Sequence, residues 1–395
     1  MKLFNWRLYP VFIALLFLNT SNAQTIEQYF NVLKKQGKQP VAFVAEKLQE
    51  YDLIVFDDAL HAAVEPFEFY TNYIRKQPQT LDYLFVEVFS ITAQPLIDSF
   101  LQCEIKDTSI LAGVFKKDFG LGWPYQTYLD LLLTVWEVNQ HLVDNQQIRV
   151  IGVDQPIYWE SLHNRRDFNL FKQSLIARDY FMYSIIEKYM DGFSATKKGF
   201  FLTNTRHAYK CIKNKNGQIY WNAGTFLHQW HPEKTYAIRF HNMILNIKSV
   251  KKNVAHGSMQ GLDRLEYTWA RMDNGLWDSA FAQNQNIPVA IPLKNNVFGR
   301  HPYWGNHMNN VLAGQTMYDA YDAIIFLKPL EETQFSAHTK FYFTQAFKSE
   351  LVHRINVMHG HNIDAFLHKN NVTSIEEYIE QLSEFVPQKQ NPLIQ

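Results

Sequence analysis

Four apolar runs, each ending on a group capable of acid–base or hydrogen-bond chemistry, constrain this chain more than any other feature. They read DLIVFDDALH (Asp52–His61), YLFVEV (Tyr83–Val88), IRVIGVD (Ile148–Asp154) and GFFLTNTRH (Gly199–His207). Each run is short, rich in Val, Ile, Leu and Phe, and flanked by stretches with helical spacing. Runs of this kind suit strands buried on both faces of a parallel sheet. Ligands of open α/β sheets bind outside the carboxyl ends of the strands. The pattern therefore predicts that His61, Glu87, Asp154 and His207 converge on one rim.

The intervening segments support an α/β reading. Helices are expected over Val64–Arg75, Ala93–Gln102, Tyr125–Val143 and, as one long helix, Asp167–Met190. Thr235–Phe240 (TYAIRF) and Asp322–Leu327 (DAIIFL) complete the set of strands. Strands alternating with helices imply a mostly parallel central sheet with right-handed crossovers. Residues 241–321 break the rhythm and are rich in Asn, Gly, Trp and Tyr, so they are read as a loop-rich aromatic insertion or lid. Residues 341–395 are read as a helical C-terminal extension to a domain spanning 24–340.

The chain begins with Lys2 and Arg7, an apolar stretch at Val11–Leu18 and a small-residue site at Ser21-Asn22-Ala23. This is the pattern of a secretory signal peptide over residues 1–23. It predicts an exported protein, periplasmic or secreted, with no membrane-spanning segment after cleavage. Lys+Arg and Asp+Glu balance at 38 each, which argues against nucleic acid or an anionic membrane as the main partner. Cys103 and Cys211 are read as two free, buried thiols. Without a C-x-x-C motif a thiolate metal site is not expected.

His61 follows the first strand at the expected start of a helix, where the helix dipole favours the neutral imidazole that a general base requires. Glu65, four residues on, or Glu68 would then share its helix face and orient the ring. Glu87 interrupts an apolar strand, and a buried carboxylate must be paired. It is either the anion of an ion pair, with Arg178 or Arg206, or the partner of His61 or His207. Asp154 is either a cap or a member of the rim. Arg178 and Asp179 sit side by side on the expected long helix, about 100° apart, so at most one should point squarely into the site. Arg178 is a candidate for holding a carboxylate or an oxyanion. His207 is a second candidate base or hydrogen-bond donor. No G-x-S-x-G, H-E-x-x-H or G-x-G-x-x-G motif is present, and no metal or cofactor site is expected.

In their order, these pieces resemble the erythromycin esterase family, within the wider haem-uptake and Tiki-like superfamily. The family's Gly-Glu-x-x-His-Gly motif is matched by Asp57-Asp58-Ala59-Leu60-His61-Ala62, with Asp58 in the carboxylate position. Its strand ending in Glu is matched by Glu87, and its Gly-x-Asp by Gly152-Val153-Asp154. Its Arg-Asp helix is matched by Arg178-Asp179, and its His-Asn-x-His by Asn204-Thr205-Arg206-His207. The resemblance implies metal-independent hydrolysis of an ester or lactone by histidine-activated water. His61 would be the base, with Glu87 and His207 supporting; Asp58, Glu65, Asp154, Arg178 and Arg206 are read as substrate-binding or supporting residues. The departures are Asp57-Asp58 for Gly-Glu, Ala62 for the second Gly, and Asn204 for the first His. Two other readings use the same scaffold: a non-catalytic protein binding haem or another apolar ligand, and a metal-dependent hydrolase.

Overall fold

The computed structural model describes residues 25–118, 120–190, 198–250, 264–305, 310–384 and 388–389. The proposed signal peptide, parts of the 241–321 segment and the extreme C-terminus lie outside these residues.

Two helices, α1 (25–36) and α2 (Pro40–Glu50), precede strand β1 (Leu53–Asp57). Helix α3 (Val64–Lys76) then leads to β2 (Tyr83–Ser90), and α4 (Gln94–Gln102), α5 (Leu111–Phe115) and α6 (Gln126–Asn139) lead to β3 (Arg149–Asp154). Helices α7 (Arg165–Ser174) and α8 (Arg178–Met190) precede β4 (Gly199–Thr203). The short α9 (Thr205–Ala208) and α10 (Ala223–Trp230) precede β5 (Thr235–Phe240). A hairpin, β6 (Ile244–Val250) and β7 (Arg264–Ala270), is followed by α11 (Leu276–Gln283), β8 (Val289–Pro292), α12 (Val297–Arg300), α13 (Met317–Ala320) and β9 (Ala323–Phe326). Three C-terminal helices close the chain: α14 (Gln345–His359), α15 (Ile363–Lys369) and α16 (Ile375–Ser383).

The seven central strands run in the order β3-β2-β4-β1-β5-β9-β8, all parallel except β8, which pairs antiparallel with β9. The fold is thus α/β with a mostly parallel sheet, as the apolar runs predicted. β1 lies between β4 and β5, so its carboxyl end sits at mid-sheet. Strand side chains alternate between the two faces with period two. Ile54, Phe56, Leu84, Val86, Phe200 and Leu202 join the core under α3 and α6. Leu53, Val55, Tyr83, Phe85 and Phe201 join the opposite core, beneath α8 and α10. Glu87 continues the Tyr83–Phe85 alternation, which turns it toward α8.

Three local expectations change. The helix expected over Asp167–Met190 is broken by a single 3-10 turn at Leu175–Ala177, so Arg178 opens α8 instead of lying mid-helix. The 241–321 segment is not all loop: its VAIP run at Val289–Pro292 is the edge strand of the central sheet. That run is too short for periodicity to separate strand from loop. In the C-terminal helices, Phe347, Leu351, Ile355, Ile375 and Ile379 are buried in the same core as α3 and α6. Both cysteines are free and half-buried. No helix among the described residues is long and apolar enough to cross a membrane.

Candidate functional site

The carboxyl ends of β1 to β5 carry a buried charged network. Five carboxylates (Asp57, Asp58, Glu87, Asp154 and Asp179) face two guanidinium groups (Arg178 and Arg239) and two imidazoles (His61 and His207). So many buried charges are tolerable only because nearly every polar atom has a partner.

Arg178 organises one half. Its Nε and Nη2 donate to the two oxygens of Asp154 at 2.7 and 3.0 Å, Nη2 also reaches Glu87 Oε1 at 3.0 Å, and Nη1 lies 2.9 Å from His207 Nε2. A guanidinium can only donate, so His207 Nε2 accepts and its ring proton sits on Nδ1. From there it reaches Asp179 Oδ1 at 2.7 Å, and that carboxylate also accepts from the Ala223 N–H at 2.8 Å. Both members of the Arg178-Asp179 pair therefore enter the site, contrary to the expectation that only one could. The His207 ring bridges the 100° between them, and the break before α8 leaves Arg178 at the helix start. Burial would weaken the guanidinium's hold on its proton, but Asp154 and Glu87 more than reverse this. Among the described residues, no group of three or more His, Cys, Asp or Glu side chains could hold a metal.

Glu87 is the hub. Its Oε2 accepts from the Thr203 hydroxyl and from the Asn204 N–H at 3.2 Å. Its Oε1 lies 3.3 Å from His207 Nε2 and 3.6 Å from His61 Nε2. Burial penalises its charge, and the Arg178 guanidinium and the Thr203 and Asn204 donors compensate. The ion-pair reading of this residue thus holds through Arg178, and both imidazoles lie beside it.

His61 lies in the turn after β1, and its placement corrects the expectation. Helix α3 starts only at Val64, so neither the helix dipole nor the helix face argument applies. Glu65 instead accepts from the Gln334 N–H at 3.1 Å, and Glu68 pairs with Lys328 at 2.8 Å. Asp58 takes the role proposed for Glu65: its Oδ2 is 3.3 Å from His61 Nδ1, and the Tyr128 hydroxyl is 3.0 Å from the same nitrogen. The Trp123 ring, 4.9 Å between centroids, covers the imidazole. In the same turn Ala59 holds φ 61°, a left-handed conformation stabilised by its N–H bond to Asp57 Oδ1 at 2.8 Å.

Two influences oppose each other on this ring. Burial lowers its pKa, and Glu87 and Asp58 oppose this by drawing a proton on. Against this, the Asn204 NH2 lies 2.6 Å from Nε2. Its amide oxygen already accepts the Arg206 N–H at 3.0 Å as the cap of α9, which fixes the amide's orientation. Two donors cannot share a 2.6 Å line, so the directional contact decides: Nε2 is bare, and the proton sits on Nδ1, toward Asp58 and Tyr128. Asp58 itself is raised to about 6, chiefly by burial.

Asp57 turns to the other side of β1. Its Oδ2 pairs with Arg239 Nη1 at 2.7 Å and accepts from the Tyr321 hydroxyl at 2.6 Å, while its Oδ1 accepts from Thr205 Oγ1 at 2.9 Å. This pair went unread in the sequence, although Arg239 interrupts TYAIRF as Glu87 interrupts LFVEVF. Tyr128 had no motif to announce it. Of the predicted supporting residues, Asp58, Asp154 and Arg178 join the site. Glu65 does not, and the Arg206 side chain is exposed at its mouth. There a cleft of about 140 Å³ is framed by Ala59, Leu60, Asn204, Arg206, Met243 and Trp269, among others. A larger cleft of about 680 Å³ opens beside Asp82, Tyr83 and Arg149, at the amino ends of β2 and β3 and away from this chemistry.

No family model matches the chain, and no curated protein matches it. Solved structures do. A succinoglycan biosynthesis protein aligns over 78% of this chain and 97% of its own, at 7% identity and TM-score 0.51. An erythromycin esterase variant in its open conformation aligns over 72% and 92%, at 9% identity and TM-score 0.45. A Bacillus cereus protein aligns over 76% and 96%, at 14% identity and TM-score 0.44. The first shows a shared fold; the others align less closely.

Proposed function

We propose that this protein is an exported hydrolase that cleaves a small ester or lactone with water activated by His61. The observation that carries the reading is the His61 ring itself: Nδ1 is anchored by Asp58 and Tyr128, and Nε2 is bare beneath the Asn204 amide that lines the rim cleft. An incoming water that displaces this neutral amide contact, worth about 1 kcal/mol, meets a base whose proton affinity Glu87 and Asp58 have raised. The imidazolium formed on attack is stabilised by the same two carboxylates. His207, locked between Arg178 and Asp179, helps orient the guanidinium that holds Glu87 in place. Arg178, with its donors committed to Asp154, Glu87 and His207, is a scaffold group here and not the oxyanion donor.

Cleft size favours a small substrate over a macrolactone or a porphyrin. Pockets for drug-sized ligands run from about 300 to 1,000 Å³, and the rim cleft framed by the described residues is about 140 Å³. The test is a panel of acyl esters and lactones of graded size incubated with the purified mature chain. Release of acid and alcohol from short esters, lost in His61→Ala, is expected. Activity that survives this substitution, or none on any member, overturns the reading.

A further inference from the structure

We infer that Asn204 is a positioning residue that holds His61 as the neutral Nδ1–H tautomer against carboxylates that would otherwise make it a cation. The inference rests on the proposed role of His61 as base, but its readout is the proton on the ring and not turnover.

The charged and titratable groups around the ring come from every element that surrounds it. Asp58 stands in its own turn, Glu87 on β2, Tyr128 on α6, and Asn204 at the end of β4. Two are carboxylates, at 3.3 and 3.6 Å from the two ring nitrogens. Both favour a doubly protonated ring, which could not accept a proton from water. The Asn204 NH2 is the only one of these groups that requires a bare nitrogen, because its oxygen is tied to the Arg206 N–H. The amide cannot titrate, so its demand on Nε2 is the same at every working pH. A histidine in its place could reverse its donor and acceptor roles by changing tautomer, and the fixed direction would be lost.

Asn204 also caps α9, and the two roles separate by substitution. Aspartate caps a helix as well as asparagine does, so Asn204→Asp keeps the bond to Arg206 while replacing the donor at Nε2 by an acceptor. Asn204→Ala removes both. The experiment is ¹⁵N NMR of histidine-labelled full-length mature protein, with the His61 signals assigned by their loss in His61→Gln. In the wild type at pH 7.5 the ring is expected to be neutral, protonated at Nδ1 and hydrogen-bonded but unprotonated at Nε2. In Asn204→Asp both nitrogens are expected to carry protons, with the apparent pKa raised by about 1–2 pH units. A purely structural cap would leave the ring unchanged in Asn204→Asp. A wild-type ring already doubly protonated at pH 7.5, or an unshifted ring in Asn204→Asp, overturns the inference whether or not any ester is cleaved. Where hydrolysis is measurable, the alkaline displacement of the pH–rate profile in Asn204→Asp should follow the ring's pKa.

Discussion

Replacing Arg178 with Met tests how the buried network is held together. The side chain is 12% exposed and donates twice to Asp154, once to Glu87 and once to His207. Methionine fills much of the volume but leaves Asp154 and Glu87 as buried anions facing each other. Removing one partner of a buried ion pair costs about 3–5 kcal/mol, so a loss of that size is expected at pH 8. The sign of the pH dependence follows from the same loss. Without the cation, the folded-state pKa of both carboxyls rises, so the folded variant takes up protons that the unfolded chain does not. The penalty must therefore shrink as pH falls from 8 to 5, by up to roughly 1.4 kcal/mol per pH unit for each carboxyl that titrates. Urea unfolding at pH 8, 6.5 and 5, with the denaturant slope unchanged, measures this directly. Adding Asp154→Asn to the variant should recover part of the loss. A penalty below about 1 kcal/mol at pH 8, or one independent of pH, would refute the account of Arg178 as the group that neutralises this cluster.

Asp58 provides a second pH test. Its folded pKa is raised to about 6 by burial, so the stability it contributes is full below the unfolded value near 3.9 and is lost as pH rises through about 6. Asp58→Asn should remove roughly 3 kcal/mol from the fall in stability between pH 4 and 8, as read from urea midpoints. The remaining slope is expected to include Glu65, also raised to about 6. An undiminished slope would show that Asp58 is not buried as described. A third test concerns Gly152, where a Cβ would lie 2.7 Å from the carbonyl oxygens of both Phe89 and Ser90. Those backbone atoms belong to the irregular β2–β3 pairing that sets Asp154 opposite Ser90. Gly152→Ala should cost about 1–3 kcal/mol by overpacking and displace Asp154 from Arg178; a neutral effect on thermal unfolding would contradict the close approach.

The parallel sheet was legible because doubly buried strands leave continuous apolar runs, and six of the seven central strands show them. Val289–Pro292 is not legible because four residues at an antiparallel edge carry too little pattern. Glu87 was conspicuous for the same reason Arg239 should have been: a charge inside an apolar strand needs a buried partner. The partners themselves were harder to assign. A continuous helix from His61 would bring Glu65 to the ring, whereas the chain makes a tight turn through Ala59 and brings Asp58 there instead. Tyr128 lies on α6, 67 residues away in sequence, and only the packing of α6 against α3 delivers its hydroxyl. Asn204 looked like a loss relative to the family motif. The structure gives it a definite contact, which spacing alone could not show.

The most direct test is the ratio of kcat/KM between the wild type and His61→Gln on the best short ester of the panel, with both proteins shown to unfold at similar urea midpoints. Glutamine keeps a polar side chain in the pocket but cannot accept a proton. General-base catalysis contributes about 10²–10⁴-fold, and a loss of that size is predicted. A variant within about threefold of the wild type, well short of that contribution, would contradict the assignment of His61 as the base at this rim.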